Sequence, residues 1–260
     1  MSDPFTDNPD LVACASLVQK GDADRFAAAM AVPVSARAVL FPIYAFNIEV
    51  SRAAWASKEP IIAQMRLQWW LDTLDEIEAG GMVRRHEVVT PLALVLQGQD
   101  LRRLRDLTRA RELDLEKAPF ADADALDSYL DQTAGFLAVQ AADALGAPKA
   151  VFPEIMYWGR AAGFVRYLQA VPELETRGKL PLPDGRPEAL VAMATAQLDS
   201  LAKHRSLRRL KRAMGPAGAA VQEFWQAKPL LQQIVRDPNC VAEGRLQLSE
   251  FSRHWRLLAT

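Results

Sequence analysis

The chain has few of the residues that hold metals or cross-link a fold. In 260 residues it has two cysteines, Cys14 and Cys240, and three histidines, His86, His204 and His254. The cysteines are far apart and in no ligand spacing, so they read as buried free thiols suited to a reducing compartment. The histidines form no pair at helical spacing, which excludes a zinc site or a nucleophile–base arrangement built on them. A glycine-rich phosphate loop, a nucleophile elbow, a fixed-period repeat and a low-complexity tract are all missing. No apolar run approaches the roughly 20 residues that span a bilayer. The opening Met1–Asp7 is acidic, without the basic and apolar regions of a signal peptide. A net charge of −1 and a pI near 6.3 give no global pull toward nucleic acid.

Half of the residues are hydrophobic and 24% are charged, the composition of a chain that builds a packed core. The reading is a single domain over 1–260, with 1–8 a flexible N-terminus. Helical periodicity dominates: Val39, Ile43, Phe46, Val50 and Ala54 recur at spacings of three and four, one buried face. The pattern predicts helices over 9–20, 22–31, 35–56, 59–79, 90–115, 123–145, 150–171, 186–213, 216–235 and 247–258, with no alternating strand pattern between them. Asp22 is a cap for the second helix, Glu59-Pro60 a helix start and Gly80-Gly81 a stop. The stretch Pro172 to Pro187 cannot continue either neighbouring helix and reads as a flap between them.

Several stretches, in order, carry a resemblance. They are Asp22-Ala23-Asp24-Arg25-Phe26, Tyr44-Ala45-Phe46-Asn47, Arg66-Leu67-Gln68-Trp69-Trp70, Tyr129 with Thr133-Ala134-Gly135, and Gly178-Lys179 with Leu182-Pro183. Together they resemble the squalene/phytoene synthase family, and specifically a divergent branch that includes a mitochondrial assembly factor for respiratory complex I. The resemblance implies an all-α isoprenoid synthase type fold: a single-domain bundle of about ten or more helices around a central cavity. In active members it implies two aspartate-rich helices whose carboxylates hold magnesium on a prenyl diphosphate. Aligned on Tyr44-Ala45-Phe46, the first pair falls at Ser51 and Trp55; counted back from the flap, the second falls at Ala170 and Leu174, with the family's asparagine at Arg166. None of these is a carboxylate. Glu49 lies two residues before Ser51, about 200° around the helix, and points away from that face. Glu173 follows Pro172, where the helix is expected to end.

The degenerate diphosphate pocket and flap therefore comprise Asn47, Ser51, Arg166, Ala170, Arg177 and Lys179, with no catalytic and no metal-binding residue. Two roles are open to Arg166, Arg177 and Lys179. They contact a phosphate or acidic headgroup, or Arg166 pairs with an internal acid and the other two are solvated. Asp72, Asp75, Glu76 and Glu78 mimic a metal motif but lie on a different helix and read as an outward acidic face. Trp69 and Trp70 point about 100° apart, so one at most is expected at any given cavity. The densest basic run, 203–212, carries a short apolar stripe of Leu207 and Leu210 and reads as a peripheral membrane contact or a solvated face. Arg102, Arg103, Arg105, Arg109 and Arg111 form a second basic surface, without the aromatic platform of a nucleic-acid module.

The expectation is a non-catalytic relative of these synthases that binds a prenyl or other lipid chain, or acts as an assembly-type factor with respiratory complex subunits as partners. It needs no cofactor and resides in the cytoplasm, peripheral on the inner face of a membrane. The alternative is a transferase that couples two prenyl diphosphates with magnesium.

Overall fold

The computed structural model describes residues 3–55 and 59–259. The expected helix end at residue 56 and the first two residues of the N-terminal segment lie outside them. The described residues are helical throughout, with no strand: α1 (Pro9–Gly21), α2 (Ala23–Met30), α3 (Val34–Ala53), α4 (Pro60–Ala79), α5 (Val89–Leu96), α6 (Arg102–Ala110), α7 (Ala123–Leu130), α8 (Phe136–Ala144), α9 (Phe152–Thr176), α10 (Pro187–Ala202), α11 (Leu207–Met214), α12 (Ala227–Arg236), α13 (Asn239–Ala242) and α14 (Glu250–Ala259). Short 3₁₀ stretches run over Arg111–Leu115 and Gly215–Phe224, and a π-turn, Asp131–Gly135, joins α7 to α8.

The predicted stripe of α3 does face inward, with Ile43, Phe46 and Val50 fully enclosed. Phe46 meets Trp70 of α4 edge-on, ring centroids 5.2 Å apart, an arrangement that adds to the area term of aromatic burial. The helix α9 is apolar nearly all round and buried along most of its length, as a helix crossed by neighbours on several sides must be. Gly163 permits the closest of these crossings: a methyl group there would lie 2.4 Å from the Ala134 Cβ of the π-turn.

Four expected helices differ in extent. The one over 186–213 breaks between Ala202 and Leu207, where α10 gives way to α11. The helix over 90–115 breaks after Leu96, because Gly98 takes φ +73° and turns the chain. The helix expected to stop near 171 continues through Pro172, which lies inside α9, to Thr176. It ends in a Schellman motif: Gly178 has φ +78°, its N–H donates to the Glu175 carbonyl, and the Lys179 N–H donates to the Leu174 carbonyl. The last difference is at 216–235, whose first nine residues belong to the 3₁₀ stretch Gly215–Phe224, buried from Ala217 onward, and not to an α-helix. Among the described residues no helix is long and apolar enough to cross a membrane.

Candidate functional site

Five segments converge on a cavity of about 320 Å³. From α3 come Asn47, Ile48, Ser51 and Arg52, and from the turn that follows it Trp55, still at the spacing of one helical face. From α9 come Gly163, Arg166, Tyr167, Ala170 and Leu174, again a single stripe. The α1–α2 junction adds Asp22 and Arg25, the 3₁₀ turn after α6 adds Arg111 and Asp114, and the α7–π–α8 segment adds Tyr129 and Thr133. The π-turn rotates Thr133 and Ala134 toward α9, a use of local under-winding common at functional sites.

Two charged clusters line this wall. In the first, Arg25 Nε donates to Glu223 Oε2 at 2.7 Å and its Nη1 to Asp22 Oδ2 at 2.6 Å. Arg166 Nη2 donates to the same Glu223 oxygen at 2.9 Å, and its Nε lies 3.8 Å from Asp22. Burial alone would raise the Asp22 carboxyl, but Arg25, Arg166 and the Arg25 backbone N–H outweigh it and hold it below the usual range. In the second cluster, Arg111 Nη1 donates to the Tyr129 hydroxyl at 2.8 Å and Nη2 to Asn47 Oδ1 at 3.2 Å. Tyr129 in turn donates to Asp114 Oδ1 at 2.7 Å. Burial first, and Asp114 beside it, push the Tyr129 phenol well above its ordinary value despite Arg111, so it stays a donor. The wall thus presents four guanidiniums against three carboxylates, Asp22, Asp114 and Glu223, each already engaged by arginine. Arg52 takes no carboxylate partner among the described residues.

The structure brings together Asn47, Ser51, Arg166 and Ala170 of the expected pocket, along with Trp55 and Leu174. It does not bring Arg177 or Lys179 to this wall. Arg177 pairs with Glu173 at 2.7 Å and stacks over Trp55 at 5.0 Å, which also commits Glu173. Lys179 is buried, donates to the Leu113 carbonyl at 3.1 Å and lies 3.9 Å from Asp114; it braces the turn that carries Asp114 from behind. Burial lowers its ammonium pKa against the pull of Asp114 and Glu116.

Glu49 faces away from the cavity, into a second cleft of about 180 Å³ bordered by Arg66, Trp69, Trp70 and His86. Both tryptophans border that cleft, against the expectation of one at most. Their rings pack edge-to-face 4.9 Å apart, and indoles are wide enough to bring adjacent residues to one opening. The acidic face of α4 is spent on arginines: Arg105 holds Asp75 and Glu78 at 2.8 and 2.7 Å, and Arg84 holds Glu76. The expected second basic surface dissolves in the same way, since Arg102, Arg103 and Arg109 each pair with an acid and Arg111 points inward.

Arg25, Arg52, Arg111, Asp114 and Glu223 were not expected at the site. Arg111 ends an arginine-rich run that reads as surface, and a 3₁₀ turn swings it inward. Glu223 lies 198 residues from Arg25 and no spacing links them. Asp22 carried a visible signal as a helix cap, which it is, its Oδ1 accepting from the Arg25 N–H at 2.9 Å.

The family model of squalene/phytoene synthase matches residues 18–251. The chain is 25% identical over 183 residues to NADH dehydrogenase (ubiquinone) complex I, assembly factor 6, of Bos taurus, a match covering 65% of this chain and 52% of the relative. It is 30% identical over 171 residues to the assembly factor 6 homolog of Drosophila melanogaster, covering 61% and 50%. The chain therefore spans about half the length of the curated relatives it matches. Its fold is that of a dehydrosqualene synthase solved in complex with ligand (TM-score 0.69, 16% identity, 98% of this chain and 96% of that one). It is equally that of squalene synthase HpnC from Alicyclobacillus acidocaldarius (TM-score 0.70, 14% identity, 91% and 94%). Both are all-α folds of the isoprenoid synthase type.

Proposed function

The chain belongs to the squalene/phytoene synthase family, and we propose that within it the chain is a non-catalytic member whose cavity receives an anionic head with an apolar tail and which serves an assembly-type role. The observation that carries this reading is the wall of Arg25, Arg52, Arg111 and Arg166 where diphosphate chemistry would need carboxylates. Magnesium requires oxygen ligands in near-octahedral array. The four positions the family resemblance assigns to aspartate are Ser51, Trp55, Ala170 and Leu174, all at the wall. Asp22 and Asp114 are bonded to arginine. Among the described residues no group of three or more His, Cys, Asp or Glu is placed to hold an ion. The residues present do not fit a metal cluster; guanidinium forks fit a phosphate or carboxylate directly.

Size points the same way. Ligand pockets commonly measure roughly 300–1,000 Å³. At about 320 Å³ the cavity lies at the lower end and suits one small ligand better than two prenyl diphosphates. The assembly role is supported by relatives named as assembly factors of respiratory complex I. Partners of that kind, and a position at a membrane face, follow from it.

The test is a titration of farnesyl diphosphate with a chelator present, beside a single-turnover incubation with farnesyl and geranylgeranyl diphosphates plus Mg²⁺. The expected result is metal-independent binding, weakened about tenfold or more by Arg52→Leu, since one charge-assisted hydrogen bond contributes about 1.5–3 kcal/mol. No diphosphate is released. Copurification of respiratory subunits with the tagged protein supports the assembly role. Mg²⁺-dependent release with a coupled product overturns this reading and installs the transferase, which the shared fold of the two synthases favours.

A further inference from the structure

The helix α14 is mounted with its apolar side outward. Its Arg253 reaches the body of the protein at Asp24, and its Leu257 carbonyl accepts from Gln222 Nε2 at 2.8 Å. On the opposite side Phe251, Trp255 and Leu258 follow one another at i, i+4 and i+7 and are 83%, 68% and 81% exposed. A contiguous stripe of large apolar side chains in water marks a docking surface when it is this regular.

The neighbouring element identifies what it meets. Gln222, which holds α14 by its amide nitrogen, accepts from Lys211 Nζ of α11 by its amide oxygen, so one buried side chain ties both helices to the body. Between Asp199 and Glu223 the sequence contains six Lys or Arg and no acid. In α11 the apolar residues Leu210 and Met214 are buried in the core, while Arg209 and Arg212 are exposed. The apolar stripe expected in 203–212 is therefore committed inward, and only the charge of that run faces out. A second copy of the chain would bring like charge against like, and a nucleic acid would leave the apolar stripe uncovered. An anionic bilayer satisfies both halves: acyl chains for the stripe and headgroups for the arginines. Trp255 at the boundary is the residue type that favours such an interface.

We propose that α14 and α11 together form a docking face for an anionic lipid surface, with α14 lying in the interface plane and α11 against the headgroups. This face is independent of what the cavity holds. The test is co-sedimentation of the full chain with phosphatidylcholine vesicles, with and without phosphatidylserine, at low and high salt. Wild-type protein binds the anionic vesicles and is released by salt. Phe251→Glu combined with Leu258→Glu reduces binding by about tenfold or more. Arg209→Glu combined with Arg212→Glu, outside the stripe, reduces it roughly thirtyfold and removes the preference for anionic vesicles. Circular dichroism melts establish that both variants fold. Failure of the wild type to bind, equal binding to neutral vesicles, or unchanged binding by both variants overturns the proposal. A dimer that the first pair of substitutions dissociates, in protein that ignores vesicles, also overturns it and assigns the stripe to a second copy.

Discussion

Replacing Glu223 by glutamine preserves the shape of the side chain and removes one charge from a buried, balanced cluster. Two guanidiniums, Arg25 and Arg166, face two carboxylates, Asp22 and Glu223. Arg25 is only 4% exposed and Glu223 3%. After the change the cluster carries a net positive charge, and the new amide turns a donor toward an arginine. Removing one partner of a buried pair costs about 3–5 kcal/mol. The lower end applies, because Arg166 is partly exposed and water screens its share. At about 2–4 °C per kcal/mol for a chain of this size, the melting temperature should fall by roughly 6–12 °C, read by circular dichroism at neutral pH. The same substitution frees Arg166 from its internal competitor, so an anion in the cavity should bind more tightly even as the fold weakens. Adding Arg25→Met should recover part of the loss, since the two residues are in direct contact and couple. A stability change below about 1 kcal/mol would refute the claim that this cluster is desolvated.

Asp22 gives an acid-stability prediction. Its folded pKa lies below its unfolded value, so its contribution is complete above about pH 4 and is lost as pH falls further through the folded pKa; urea midpoints compared at pH 6 and pH 3 should show a smaller acid penalty in Asp22→Asn than in wild type. Gly163→Ala places a methyl group 2.4 Å from Ala134 Cβ and should destabilise by about 1–3 kcal/mol through overpacking in chemical denaturation; a neutral result would mean that α9 slides freely over the π-turn. Burial, then Asp10 and Glu87, push the Cys14 thiol up to about 12, so it should resist a thiol reagent at pH 8 in the native state and react only on unfolding, with rapid native labelling of Cys14 as the contrary result.

The parts of this molecule that could be read beforehand are those with a period. The stripes of α3 and α9 put Asn47, Ser51, Trp55, Arg166, Ala170 and Leu174 on one cavity because spacing along a helix is also direction around it. Glu49 was placed on the far side by the same arithmetic. What escaped depends on breaks in the period or on distance along the chain. Arg111 changes face where α6 gives way to a 3₁₀ turn, and Glu223 sits in a 3₁₀ stretch whose composition suits an α-helix. Lys179 was drawn toward the cavity by its place on the flap, but the Schellman turn at Gly178 and the Leu113 carbonyl fix it behind the wall. The internal partner of Arg166, one of its two open roles, is Glu223, a residue that only the fold brings near.

That long reach has a consequence for how the protein is made. Arg25 depends on Glu223, 198 residues later; Asp24 is bonded by Gln226 and by Arg253, 202 and 229 residues later. A chain emerging from the ribosome can form α1 to α3 early, but the first turn of α2 must keep its charges hydrated until most of the remaining chain has been translated. Closure of so large a loop comes late and slowly. During that interval the nascent chain exposes the apolar backs of its first helices without their final cover, the state in which chaperones find their clients. A stop codon ahead of position 223 would therefore do more than shorten the protein: it would leave its opening segment with a guanidinium that has no place in a core.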